Sequence, residues 1–309
     1  MMLITAPLYS KLTTMHQRFA HWAVFILLSL TWGSSFILMK IGLESFTSYQ
    51  VASLRLVAAG VALLPFLPKA LRETPVKKIP LILLSGVLGN GIPAFLFCLA
   101  ETEIDSSLAG ILNALVPLMA LLSGIIIYKS PFKKAQLTGI FVGLAGVVLL
   151  FTSKGISTNA HWYYALLVVL ATVSYGVNIS LVHNTLKGFP SLQLGSIAMF
   201  FCAVITFPVL WFSNFFSQFT QPNAPWRSLS AGLVLGVMGT GIAAVLFFLL
   251  IKRAGSVLAS MVAYALPLVA VGWGLLAHEP ITWIQILCMG IILAGVYLVN
   301  SANKTAANK

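Results

Sequence analysis

Acidic residues are scarce in this chain: its 309 residues include six Asp and Glu, and charged residues of both signs make up 8%. Soluble domains carry about 25% charge, so this sequence lacks the residues to cover a solvated surface. Whole windows lack Asp, Glu, Lys and Arg altogether: Phe19 to Met39, Ile79 to Ala100, Ser106 to Tyr128, Ala135 to Ser153, Ser228 to Ile251 and Ala254 to His278. No paired aspartates share a window, no two-His zinc spacing occurs, and no loop ends in Gly-Lys-Ser/Thr. Metal-assisted hydrolysis and phosphate cradling are thereby left without their residues, so no cofactor and no enzymatic activity are expected. Cysteine is rare too, and Cys98, Cys202 and Cys288 fall inside apolar windows, where they read as small fillers rather than disulfides or metal ligands.

What is present is hydrocarbon-compatible sequence, 59% hydrophobic. A helix needs about 20 apolar residues to cross a bilayer core. The six uncharged windows meet that length, and further spans read at 49–67, 162–184, 191–212 and 281–300, which makes ten. The expected fold class is an all-α membrane protein with ten transmembrane helices. Ten spans leave only about 100 residues for connections and tails, too few for a soluble catalytic domain. The first span is too long for a cleaved leader and reads as a retained anchor.

The chain also repeats. Gly86, Gly89, Gly91, Ile92, Ala94 and Phe97 fall on Gly236, Gly239, Gly241, Ile242, Ala244 and Phe247, and the register continues to Pro117 and Pro267. At a slightly shorter offset, Gly33, Phe46, Ser48, Gln50 and Ser53 match Gly176, Phe189, Ser191, Gln193 and Ser196. The organisation expected is a cytoplasmic segment 1–18, a first repeat 19–153, a second repeat 162–300 and a tail 301–309.

The formal charge of +12 is a statement about topology rather than about a nucleic-acid partner. With the N-terminus inside, most lysines and arginines, among them Lys11, Arg18, Lys69, Arg72, Lys77, Lys78, Lys129, Lys133, Lys134, Lys187, Lys252, Arg253, Lys304 and Lys309, lie on the cytoplasmic side. Lys40, Lys154 and Arg227, with Glu44, Glu101, Glu103, Asp105 and Glu279, lie outside. Both termini are then cytoplasmic in the inner membrane. Because each repeat has five spans, the second enters upside down. The corner Glu101-Thr102-Glu103 accordingly meets Ile251-Lys252-Arg253 in the alignment, acids exchanged for bases. Inverted-topology repeats are an architecture of secondary transporters, in which one half rocks against the other around a midplane site.

The duplicated halves, Trp32-Gly33-Ser34-Ser35-Phe36, Leu54-Arg55-Leu56, the prolines of spans 4 and 9, and His278-Glu279-Pro280 through Leu293-Ala294-Gly295-Val296 together resemble the EamA-type members of the drug/metabolite transporter superfamily. The resemblance covers nearly the whole chain. It implies a ten-helix basket around a central cavity, with spans 5 and 10 peripheral, that exports small metabolites such as amino acids. The chain departs from the family pattern at Tyr128-Lys129, where a glutamate usually precedes span 5. Carriers of sugar nucleotides and organic phosphates in the superfamily use basic residues in spans 8 to 10, and their absence here argues against a polyanionic substrate.

Polar groups in hydrocarbon are costly unless they pair or line water, which makes them the first site candidates. Asn90 and Thr240 are repeat mates, and Asn113 and Asn178 lie comparably deep; each is either helix–helix glue or a substrate contact. Trp32, its mate Tyr175, and Tyr264 sit on spans 1, 6 and 9 as cavity aromatics or interfacial anchors. Arg55 is either an outer-interface anchor, paired with Glu101 or Glu103, or a contact for a substrate carboxylate. Pro117 and Pro267 each free a helical carbonyl and read as symmetric kinks that curve spans 4 and 9 across the cavity, and Gly89 and Gly239 permit close contact or serve as a gating, sliding surface. No Asp or Glu lies at a span centre, so a midmembrane carboxylate relay is not expected. These readings converge on an exporter of small neutral or zwitterionic metabolites, amino acids first. An exporter of drugs or amphipathic waste is the alternative within transport, and a lipid translocator or membrane-embedded enzyme the alternative outside it.

Overall fold

The computed structural model describes residues 6–152 and 162–307. Ser153, Lys154 and Lys309 lie outside the described residues, as do the side chains of Lys11, Arg18, Lys252, Arg253 and Lys304. All regular structure among the described residues is helical. Eight helical stretches are long and apolar enough to cross a membrane: Ala20–Leu43, Ser48–Glu73, Val76–Ala100, Ser106–Tyr128, Lys134–Thr152, Trp162–Thr185, Ser191–Phe212 and Trp283–Ser301. We refer to the first seven as spans 1 to 7 and to the eighth as the last span.

Between span 7 and the last span the backbone is helical from Trp226 to Leu276, with a π-helical stretch at Leu235–Ile242. The expected corner at Ile251-Lys252-Arg253 is therefore helical backbone, not a break. The two matched places differ in backbone conformation. The first-half counterpart ends at Asp105, whose extended backbone (φ −72°, ψ 149°) stops one helix and starts the next. Gly255 stands at the matching place, where the backbone continues as helix. A 34-residue helix rises about 51 Å, against a hydrocarbon core of about 30 Å.

Several helices begin on local signals. Thr47 and Gln50 form a capping box at the start of span 2, each side chain bonding the other's backbone amide. Span 4 is interrupted at Ala114-Leu115, whose amides reach back only three residues, to Ile111 and Leu112. Pro117 lies in the first turn of the segment that follows, Val116–Tyr128, so it opens a helix rather than bending one. Pro267, by contrast, lies within continuous helix.

Packing follows the sequence repeat. Span 1 packs on the Ala243–Leu276 helix and span 6 packs on span 4; span 2 packs on span 7; span 5 and the last helix pack chiefly on one another. Glycines allow the closest of these approaches. A Cβ at Gly33 would lie 2.5 Å from Val269 Cβ, and one at its mate Gly176 would lie 2.5 Å from the Met119 carbonyl carbon. Val269 and Met119 are themselves repeat mates. Likewise Gly86 abuts Ala198 and Gly236 abuts Arg55, again matched pairs.

The acid-bearing end is laced by polar contacts. Arg227 Nη1 meets Glu44 Oε2 at 2.6 Å, and Ser228 Oγ donates to the Ile41 carbonyl at 2.8 Å. Lys40 Nζ donates to the carbonyls of Glu101 (2.9 Å) and Ile104 (2.8 Å). Glu279 Oε1 accepts from the Ser106 amide (2.9 Å) and hydroxyl (2.6 Å), while Oε2 accepts from the Ser107 amide (2.9 Å). A carboxylate at the exposed amides of a helix start is favourable. Burial alone would raise the Glu279 carboxyl, but these hydrogen bonds hold it below its ordinary value. A lowered carboxyl contributes stability that is present above its ordinary value and lost as pH falls through the lowered one. Glu279→Ala should therefore destabilise the protein by about 1–3 kcal/mol at neutral pH, the cost of orphaned donors. Thermal unfolding in detergent checks this, and the gap to wild type should narrow below about pH 4.

Candidate functional site

A cavity of about 630 Å³ lies where the helices of the two repeats face each other. It runs from Met39 and Arg55, toward the acid-bearing end, to Leu121, Ile179, Phe247 and Asn300, toward the opposite end. Of the residues singled out from sequence, Trp32, Arg55, Asn90, Asn113, Tyr175 and Thr240 line it, together with Pro117, Gly89 and Gly239. Asn178, Tyr264 and Pro267 are not among its lining.

The geometry explains each placement. Asn90 and Thr240 sit on two π-helical turns, Val87–Gly91 and Leu235–Ile242. A π turn shifts the hydrogen-bond ladder and leaves carbonyls for other partners. In the first repeat the Ser174 hydroxyl donates to the Leu88 carbonyl at 2.7 Å. In the second the Trp32 indole donates to the Gly239 carbonyl at 2.8 Å. Each π turn is thus bonded by a side chain from the opposite repeat. Trp32 also stacks obliquely on Phe247, with ring centroids 5.1 Å apart. Tyr175 lies 6.2 Å from the Phe97 ring. The Thr240 hydroxyl is buried with no hydrogen-bond partner.

Asn113 precedes the interruption in span 4. Pro117 has no amide to return to it, so its carbonyl loses the usual i+4 donor beside the cavity. Asn178 instead is interhelical glue: its Oδ1 accepts from Ser85 Oγ at 2.6 Å, and its amide nitrogen occupies the space a Cβ at Gly89 would need. The Tyr264 hydroxyl accepts from Asn300 Nδ2 at 2.7 Å, which orients Asn300 at the cavity. Pro267 is buried one helical turn beyond the lining residue Ala263 and is not itself part of the lining.

Asn300, Ser35, Phe36, Met39, Phe97 and Phe247 also line the cavity and had no place among the sequence candidates. Asn300 has no polar repeat mate, so the duplication could not signal it. Phe97 and Phe247 do align as mates, a signal that was available.

Arg55 is not paired with Glu101 or Glu103. Its polar contact is Nη1 to Met39 Sδ at 3.6 Å, and its Nε is buried without a partner. Glu101 is sealed in packed protein with no exposed surface and is not among the residues lining the cavity. Burial pushes the Glu101 carboxyl well above the ordinary carboxylate range, against the pull of Lys40 and Arg55. The described residues contain no cluster of His, Cys, Asp and Glu fit to hold a metal ion. Among the described residues the lining chemistry is amide, hydroxyl, thioether, aromatic and guanidinium, which can bind and orient a small polar–apolar molecule.

Two segments, 21–152 and 162–301, match the EamA-like transporter family. The chain is 28% identical over 284 residues to an inner membrane transporter of Escherichia coli K12, YedA, covering 88% of each. It is 26% identical over 194 residues to a probable terminal-alkyne amino-acid exporter of Streptantibioticus cattleyicolor, covering 62% of this chain and 64% of that one. A solved crystal structure with 17% identity superposes with a TM-score of 0.57 over 93% of this chain and 98% of the other, a similarity of fold.

Proposed function

Because the chain belongs to the EamA-like transporter family, we propose that it is a secondary transporter that exports small neutral or zwitterionic metabolites, amino acids first, across the inner membrane. The observation that carries this reading is the cavity of about 630 Å³ lined by mated residues of both repeats. Its volume falls within the range of small-molecule sites, about 300–1,000 Å³. Relatives named as an inner membrane transporter and as an amino-acid exporter support the class and the substrate, and both point away from an enzyme.

Ten crossings in two inverted halves are the architecture we infer. The twofold match to the family and the mated helix contacts support it, with the long run Trp226–Leu276 supplying two crossings. In this arrangement both termini are cytoplasmic. The polar contacts at the acid-bearing end then close the outer side, and the cavity is reached from the cytoplasm. Transport follows when the halves rock and the two π turns, each bonded to the opposite half, change partners.

The aromatic lining of Trp32, Phe36, Phe97 and Phe247 favours one second reading, export of amphipathic compounds more broadly. Efflux of labelled neutral amino acids from overproducing cells tests the first. Faster loss of at least one is expected, and unchanged retention across the whole set would contradict the amino-acid assignment. Asn90→Ala and Thr240→Ala should each slow efflux by about two- to tenfold, the worth of one hydrogen bond, while folded protein persists. Wild-type rates in both would remove this pair from the site.

A further inference from the structure

Two ionisable side chains near the outer end of the cavity lack the partners their chemistry calls for. Glu101 is 0% exposed, and neither of its carboxyl oxygens has a hydrogen bond. Arg55 lines the cavity with a buried, unpartnered Nε, and among the described residues no carboxylate stands at ion-pair distance from it. The groups that act on Glu101 come from several elements. Lys40 on span 1 is already bonded to two carbonyls; Arg55 comes from span 2, and Glu279 from the segment after the long helix. Cys98, on the same helix, senses both Glu101 and Arg55, and Asp105 is under the influence of Glu279 and Lys40.

A guanidinium in an apolar cavity is costly without an anion, and its planar fork suits a carboxylate. We propose that Arg55 anchors a carboxylate on the transported molecule and that Glu101 holds the proton that leaves Arg55 free to bind it. This rests on the transporter reading of the cavity and narrows the substrate class to monocarboxylates with an apolar or aromatic body.

Protonated Glu101 makes no claim on Arg55. Ionised Glu101 competes with the ligand for the same positive charge. Ligand carboxylate and Glu101 proton therefore favour one another: where Glu101 is ionised before binding, one proton is taken from solution as the ligand binds and returned as it leaves. Burial already biases Glu101 to the neutral form, so affinity is flat at low pH and falls only as pH rises through its titration. An amine lacking a carboxylate finds no anionic side chain in the lining.

The test is calorimetric binding to the purified full chain of 3-phenylpropionate, phenylalanine and phenethylamine, between about pH 6 and about pH 9. Both carboxylates should bind, with phenethylamine at least about tenfold weaker, since a bond to a charged group is worth that much. The affinity for 3-phenylpropionate, whose carboxylate does not titrate in this range, should fall by up to about tenfold per pH unit once Glu101 ionises. In that region, buffers of different ionisation enthalpy should report about one proton taken up per ligand. E101Q should bind with a flat pH profile and no proton uptake, and Glu101→Met does the same if the glutamine variant is poorly folded. R55Q should lose both carboxylates by at least about tenfold, with R55K recovering part of the loss.

Equal affinity for the amine, a pH slope retained in E101Q, or no carboxylate binding by monodisperse wild type would each overturn the proposal. Flux in vesicles separates it from the broader reading. Binding as described with no flux would sink the transporter reading and leave the Arg55 site intact, whereas flux of phenylalaninamide equal to that of phenylalanine would do the reverse.

Discussion

Valine at Gly176 or at Gly236 leaves no folded protein to purify. A Cβ at Gly176 would lie 2.5 Å from the Met119 carbonyl carbon and 2.7 Å from the Ala120 nitrogen. One at Gly236 would lie 2.5 Å from the Arg55 carbonyl oxygen. These neighbours are helix backbone, which cannot step aside as a flexible side chain can, and two further methyls aggravate the clash. Extra methylenes in a packed core already cost about 1–3 kcal/mol, and backbone collisions at a helix crossing exceed that. The crossings concerned hold one repeat against the other, so the loss is global. Gly272→Val and Gly290→Val are the controls, because nothing lies within 4 Å of a Cβ at either position. Size-exclusion profiles in mild detergent should show a monodisperse peak for both controls and for neither crossing variant.

Trp32→Ala should slow transport by about tenfold or more while leaving a folded protein. The indole donates to the Gly239 carbonyl on a π turn, packs against Phe247 and forms part of the cavity wall. Its removal orphans a carbonyl beside the cavity and deletes one of the contacts between span 1 and the opposite repeat, while the Trp273 Nε1 bond to Ser34 Oγ and the Gly33–Val269 approach remain. An orphaned buried acceptor costs about 1–3 kcal/mol, and a comparable loss in the bound state slows flux by about tenfold or more. Trp32→Phe keeps the ring and loses the donor, so it should fall between the two. Trp22, which is 49% exposed, can be changed to Ala with little effect on flux. Equal flux in Trp22→Ala and Trp32→Ala would show that the indole does not couple the repeats.

The sequence repeat made Asn90 and Thr240, and Trp32 and Tyr175, legible as cavity-lining residues, because polar and aromatic groups at matched positions of the two halves face the same space. Depth along a helix can be read from sequence in this way. Direction around the helix cannot, because membrane helices are apolar on both their packed and their lipid-facing sides. Asn178 lies at a depth comparable to Asn90 and Asn113, which left glue and substrate contact both open, and it faces Ser85 and Gly89. Tyr264 supports the cavity through Asn300 rather than lining it. The symmetric prolines misled for a related reason: Pro117 follows a true interruption, whereas Pro267 is carried within a continuous helix. Glu101 lay too near a helix end to be counted as intramembrane, and only packing reveals that it is sealed from water.

The most direct test of the account is counterflow in proteoliposomes preloaded with an unlabelled neutral amino acid, comparing wild type with Ala120→Trp, which plugs the cavity. Ala120 lines that cavity, so the indole would fill space the substrate needs without altering the polar contacts at the acid-bearing end. Labelled phenylalanine should accumulate transiently in wild-type vesicles and remain at the empty-vesicle level with the plugged variant. Accumulation by the plugged variant equal to wild type, or none by wild type for any neutral amino acid, would contradict transport of amino acids through this cavity.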